Sequence, residues 1–163
     1  MTHTLTGLPA GDKPAQYALL RKQADALLDG ERDFIANCAN IGALLYFSLD
    51  QLNWAGVYLM KQNELVLGPF QGKPACVRIP LGTGVCGTAA VRRRTLIVPN
   101  VHEFDGHIAC DSASNSEIVV PLMRGPQLVG VLDLDSPVLS RFDTRDQEGL
   151  ENIAASLVAG SAF

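Results

Sequence analysis

A chain of 163 residues, 47% of them apolar, is long enough to bury the core of one globular domain, which excludes a disordered protein. A net charge of −4 with no basic stretch beyond Arg92–Arg94 argues against a nucleic-acid-binding protein. The chain shows no apolar run that could span a membrane and no signal peptide, so we expect it in the cytoplasm with its four cysteines reduced at rest.

The hydrophobic pattern predicts one domain over residues 14–163, preceded by a flexible N-terminal arm over 1–13. Two amphipathic helices are expected first, and a hairpin follows them; the polar segment after the hairpin is expected to be a loop. The predicted elements of this half are helices 15–28 and 32–49, strands 53–60 and 65–67, loop 68–74, strand 75–79, a glycine turn with a short helix over 82–90, and strand 95–98.

The second half of the chain begins with a polar loop, 104–117, that has neither helical nor strand periodicity. A hairpin of strands 118–123 and 127–135 is predicted next, and then a helix with Thr144 and Gln147 as its capping box. This order indicates an α+β fold: an antiparallel sheet with helices on one face and a loop-covered ligand pocket on the other.

Three cysteines, Cys76, Cys86 and Cys110, lie in or beside loops, whereas Cys38 falls in the apolar stripe of the second helix and is expected in the core. Cys110 lies in the polar loop, where it has no evident packing role, so it is the candidate nucleophile; such a role requires the thiolate, and the unperturbed pKa of a cysteine is about 8.5. Three such cysteines favour a thiol–disulfide cycle. The alternative is a zinc site that also includes His102 or His107, but no Cys-x-x-Cys spacing supports it.

Acids and aromatic residues are predicted on the pocket face. Asp133 and Asp135 stand two residues apart on a strand and so share a face, as do Trp54 and Tyr58 on another strand. Acids on an apolar strand indicate either a solvated edge or a site for an ammonium group, and Glu117 is a third candidate. The aromatic pair suits either a core or a cup for a methyl group.

With these residues in place, the chain resembles the free methionine-(R)-sulfoxide reductases, a family built on a single GAF domain. The resemblance covers nearly the whole chain from the first helix to the last, and predicts a GAF-like fold over residues 14–163. The stretches that carry it are 72–80, 82–89, 101–111, 114–119 and 130–136. Generic GAF sensors share the glycine turn and the last strand but lack these three cysteines.

The resemblance implies that Cys110 is the nucleophile, that Cys76 resolves its sulfenic acid, and that Cys86 takes part in regeneration. It further implies substrate-binding roles for two aromatic residues and three acids, and one of the acids Asp133 or Glu117 is expected to supply a proton. The binding residues so implied are Trp54, Tyr58, Glu117, Asp133 and Asp135.

The implied reaction converts free methionine-(R)-sulfoxide to methionine, with thioredoxin as reductant and with no metal or organic cofactor. Assembly as a homodimer is left open. The alternative function is a non-catalytic GAF module that senses a small ligand, and ligand binding that survives the loss of all three loop cysteines would distinguish it.

Overall fold

The computed structural model describes residues 6–106 and 112–163, which follow the predicted order of elements. The helices are α1 (Lys13–Leu28), α2 (Phe34–Ser48), α3 (Gly84–Arg92) and α4 (Thr144–Gly160). The strands are β1 (Trp54–Lys61), β2 (Glu64–Gly72), β3 (Arg78–Pro80), β4 (Leu96–Val98), β5 (Ser116–Arg124) and β6 (Gln127–Ser136). Over these residues the strands form one antiparallel sheet in the order β3-β2-β1-β6-β5-β4. The α+β class is therefore confirmed.

Helices α2 and α4 pack on one face of the sheet, α1 packs against these two helices, and the main hydrophobic core lies among them. Alternate residues of the two central strands point into it, among them Val57 on β1 and Leu132 on β6. Cys38 is fully buried there, so its predicted core position is confirmed. This layer fixes the position of β1, β6 and β5. The opposite face of these strands packs against a second hydrophobic cluster.

The second hydrophobic cluster covers the other face of the sheet and is built around Trp54, Tyr58 and Val131. Loops cover this face as predicted, but α3 also packs here and contributes Val85 and Ala89. The prediction put helices on one face of the sheet and only loops on the other, so the position of this short helix differs from it. Periodicity gives a short helix an apolar face and does not say which layer that face meets.

The first hairpin is longer than predicted, and the third strand is shorter. β2 continues to Gly72 through the segment predicted as a loop, and β3 begins only at Arg78. Because β3 pairs only with residues 64–66, the rest of β2 lies at the sheet edge, where the missing N–H of Pro69 is tolerated. Cys76 therefore lies in the β2–β3 loop and not on a strand.

Two further predictions were wrong at element ends. β5 begins at Ser116, so Glu117 belongs to a strand and not to the preceding loop. The capping box of α4 is formed by Asp143 and Asp146, one residue before the predicted Thr144 and Gln147. Asp146 is buried because Tyr17, Lys13 and Arg141 donate to its carboxylate, and these partners were not visible from local sequence.

The residues before α1 pack along that helix. Pro9 O accepts a hydrogen bond from Gln16 Nε2 at 2.7 Å, and Leu8 contacts the main core. The division into an arm over 1–13 and a domain over 14–163 stays a prediction. No helix among the described residues is long and apolar enough to cross a membrane.

Candidate active site

A cavity opens between the sheet and the first turn of α3. β1 and β6 pair antiparallel with Trp54 opposite Asp135 and Gly56 opposite Asp133. β5 then places Glu117 opposite Asp135 on the far side of β6. The alternation of side chains turns these residues to one face, and Trp54, Tyr58, Cys86, Glu117, Asp133 and Asp135 all line the same cavity. The shared faces predicted for each strand are confirmed.

The aromatic pair forms one wall of the cavity. The rings of Trp54 and Tyr58 stack with centroids 5.9 Å apart, and Phe70 also stacks on Trp54, with centroids 5.2 Å apart. Trp54 Nε1 donates to Lys73 O at 3.1 Å, and the Tyr58 hydroxyl donates to Cys76 O at 3.0 Å. Both ring positions are thus fixed, and the β2–β3 loop is held against the wall that they form.

Three acids and a thiol form another part of the cavity lining. Glu117 is 6% exposed, Asp133 5% and Cys86 4%. Cys86 Sγ lies 3.9 Å from Glu117 Oε1, and one ligand atom of each of the three residues lies within 4.8 Å of the others. Asp135 is half-buried at the rim. No lysine, arginine or histidine is present among the described residues that line the cavity.

Burial without a neighbouring cation raises the pKa of the two buried carboxyl groups and of the Cys86 thiol. Burial is the main cause that raises the pKa of Asp133 to about 7, opposed by its hydrogen bonds with Cys86 and Glu117. Burial also raises the pKa of Glu117 well above its usual range, and the charges of Asp133 and Asp135 add to this. The same causes raise the pKa of the Cys86 thiol. Near neutral pH the cavity therefore contains at least one protonated carboxyl group.

The cysteines differ sharply in their surroundings. Cys76 is disulfide-bonded and half-buried in the β2–β3 loop, whereas Cys38 and Cys86 are free and buried. Cys110 and His107 lie outside the described residues. His102 is exposed and contacts Asn115 Oδ1 through Nε2 at 2.9 Å. The described residues do not bring His102 and Cys86 into one ligand cluster, which removes support from the alternative zinc site.

Several cavity residues were not singled out from the sequence. Ser114 is buried at the cavity and accepts a hydrogen bond from Asn53 Nδ2 at 3.0 Å. The first turn of α3 also lines the cavity, where its N-cap Thr83 makes no capping hydrogen bond with its side chain. A serine in a polar loop has no sequence feature that would mark it as a cavity residue. The glycine turn before α3 was the available signal, since such turns bring backbone N–H groups to ligands.

Comparison with known proteins identifies the family of the fold and several similar enzymes. Residues 27–160 match the family model described as GAF domain. The free methionine-R-sulfoxide reductase of Escherichia coli (strain K12) is 55% identical over 146 residues, which cover 90% of this chain and 88% of that protein.

Solved structures agree with this match. The X-ray structure of the free methionine-R-sulfoxide reductase from Neisseria meningitidis in complex with its substrate superposes with a TM-score of 0.93 at 42% identity, covering 98% of this chain and 95% of that chain. The reduced form of fRMsr from Staphylococcus aureus gives a TM-score of 0.87 at 52% identity, covering 96% of this chain and 99% of that chain.

Proposed function

The chain belongs to the free methionine-R-sulfoxide reductase family of enzymes, and on that premise we propose that it reduces free methionine-(R)-sulfoxide to methionine. The observation that carries the proposal is one cavity that joins an aromatic wall to buried, protonatable acids. A sulfoxide needs both: an apolar surface for its S-methyl group and an acid for its oxygen.

The charges of the cavity favour a zwitterionic amino acid. We propose that the substrate ammonium group binds Glu117 and Asp135, that its carboxylate binds backbone N–H groups close to Cys110 in sequence, and that the S-methyl group contacts Trp54 and Tyr58. The backbone nitrogen of a methionine within a peptide carries no charge. A peptide would therefore leave the acids without their partner, which favours the free amino acid as substrate.

In the chemical step the Cys110 thiolate attacks the sulfoxide sulfur while a carboxylic acid protonates the oxygen. Asp133 is the preferred donor because a pKa of about 7 lets it hold a proton and release it at neutral pH, and Glu117 is the alternative. The sulfoxide gains two electrons and leaves as methionine. Cys110 loses them: its transient bond to the substrate sulfur breaks as the hydroxyl group passes from that sulfur to the Cys110 sulfur, which leaves a sulfenic acid.

The second step forms a disulfide. The Cys76 thiol attacks the sulfenic sulfur of Cys110, and the oxygen leaves as water. The disulfide-bonded state of Cys76 supports this pairing, since Cys38 and Cys86 are free. Burial keeps Cys86 a thiol, a weak nucleophile, so its part in regeneration requires the cavity to open first.

Thiol counting tests the sequence of steps. The reduced protein is mixed with one equivalent of free methionine-(R)-sulfoxide without reductant, and the loss of two thiols mapped to Cys76 and Cys110 is expected. Cys110→Ser should abolish methionine formation, whereas Cys38→Ser, which alters a buried thiol on the other face of the sheet, should not. Full activity of Cys110→Ser would refute the nucleophile assignment.

Substrate recognition has its own test. Asp135→Asn should raise KM for the free sulfoxide, and N-acetylmethionine sulfoxide, which lacks the ammonium charge, should be a poor substrate of the unaltered enzyme. Equal kcat/KM for the acetylated and the free compound would contradict the ammonium site. Binding of the sulfoxide without turnover would instead favour a sensor module.

Regeneration is proposed to use thioredoxin, whose dithiol reduces the disulfide and restores both thiols. Such a cycle operates in the cytoplasm, where thioredoxin keeps thiols reduced. Sustained turnover with thioredoxin, thioredoxin reductase and NADPH checks the reductant. Light scattering on the purified protein distinguishes a monomer from the homodimer that the sequence left open.

A further inference from the structure

A thiol and two carboxyl groups meet at the inner end of the cavity. Cys86 comes from the first turn of α3, Glu117 from β5 and Asp133 from β6. One ligand atom of each lies within 4.8 Å of the other two, and the sulfur–oxygen distance from Cys86 to Glu117 is 3.9 Å. Three different elements hold the three side chains, so the packing of the sheet against α3 sets their spacing.

An independent observation points to a missing partner. Asp133 Oδ1 is buried and receives no hydrogen bond from any described residue, although its carboxyl group lines the cavity. Buried acceptors are normally paired, and an unpaired one costs free energy. The described lining supplies no cationic side chain to meet it. A donor or a cation that enters the cavity would fill this position.

We propose that Cys86, Glu117 and Asp133 bind a zinc ion, and that zinc and substrate exclude each other from the cavity. The metal site itself follows from these three residues, whereas the exclusion of substrate rests on the proposed function. Thiolate and carboxylate are ligand types that Zn²⁺ accepts, whereas Mg²⁺ and Ca²⁺ prefer oxygen ligands alone.

The spacing suits a tetrahedral ion. With Zn–S of about 2.3 Å and Zn–O of about 2.1 Å, tetrahedral geometry separates sulfur and oxygen by about 3.6 Å. The separation from Cys86 Sγ to Glu117 Oε1 is 3.9 Å, so a shift of a few tenths of an ångström suffices.

Binding exchanges protons for the metal without any change of oxidation state. Zn²⁺ replaces the thiol proton of Cys86 and the protons that the two carboxyl groups hold, and all of these are released to solvent. A fourth position stays open toward the cavity, where water binds. The sulfoxide oxygen would otherwise meet the same acids, which is the reason for mutual exclusion.

The test uses Co²⁺ and Zn²⁺ on a host protein carrying Cys76→Ser and Cys110→Ser, so that the described buried thiols Cys38 and Cys86 are the ones left. We expect one equivalent of Co²⁺ to give a thiolate-to-cobalt charge-transfer band that Zn²⁺ displaces. Cys86→Ser should abolish the band and weaken Zn²⁺ binding, measured against a chromophoric chelator, by at least about 10-fold. Cys38→Ser should retain both.

Two outcomes would overturn the site: no stoichiometric binding to the host, or a band that survives Cys86→Ser. Asp133→Asn in the same host supplies a second check, because it should weaken Zn²⁺ binding and leave Cys86 in place. Competition is measured on the unaltered enzyme, where Zn²⁺ should raise KM for the sulfoxide without changing kcat. Stoichiometric zinc binding to a protein that lacks turnover would refute the proposed function and retain the metal site.

Discussion

Replacing Asp133 by asparagine should remove the part of the pH dependence of stability that this buried cavity carboxyl contributes. Folding raises the pKa of this carboxyl from 3.8 to about 7, chiefly through burial. At pH values between these two, the folded protein holds a proton that the unfolded chain has released. The stabilising contribution of Asp133 is therefore complete below about pH 4 and is lost as the pH rises through about 7.

The magnitude follows from the shift. One pKa unit corresponds to about 1.36 kcal/mol. The titration of Asp133 in the folded and the unfolded protein therefore lowers the free energy of unfolding by about 3 kcal/mol between pH 5 and pH 8. That is a large share of the roughly 5–15 kcal/mol that stabilises a typical domain. Asparagine has the same shape and does not titrate, so Asp133→Asn should lose less stability than the unaltered protein over this interval.

Urea unfolding at pH 5 and pH 8, with all proteins in the same disulfide state, measures the difference. Asp25→Asn is the matched control, because Asp25 is exposed on α1 and lies outside the cavity. Asp25→Asn should show the same change in the free energy of unfolding between pH 5 and pH 8 as the unaltered protein. An Asp133→Asn variant that loses as much stability as the unaltered protein would refute the reasoning about burial. In turnover assays the same variant should lose about 10²-fold or more in kcat, the usual contribution of a general acid.

Three further substitutions test the frame of the cavity by urea unfolding. Tyr58→Phe removes the hydrogen bond to Cys76 O and should cost about 1 kcal/mol and raise KM, so unchanged values of both would contradict an anchoring role. Gly56→Ala places a methyl group 2.4 Å from Phe70 Cβ and should cost about 1–3 kcal/mol; a neutral effect would mean that β2 moves freely. Asp146→Ala removes the buried carboxylate that pairs with the half-buried Lys13 and Arg141 and should cost about 1.5–3 kcal/mol, with a loss below 1 kcal/mol counting against the network.

The residues that lie together along one strand were predictable. Asp133 and Asp135, like Trp54 and Tyr58, share a face because side chains alternate along any strand, which is a local property. The core position of Cys38 followed in the same way from helical periodicity. The resemblance to the reductase family then supplied roles for these residues, including Cys110, which lies outside the described residues.

Element ends were less predictable because neighbours decide them. Gly68 and Pro69 are typical of loops, yet β2 continues through them at the edge of the sheet, where it still pairs with β1. Asp146, and not Gln147, closes the capping box, and hydrogen bonds from distant side chains hold it in place. Local sequence carries no information about such partners.

The sequence by itself determined the class of fold, the order of its elements and the composition of each strand face, since these depend on periodicities of two and 3.6 residues. Only the tertiary structure decided that Glu117 meets Asp133 and Cys86, because this depends on the placement of β5 beside β6 and of α3 over both. The raised pKa values of Glu117 and Asp133 follow from this arrangement, since burial is a property of the assembled layers and not of any one segment.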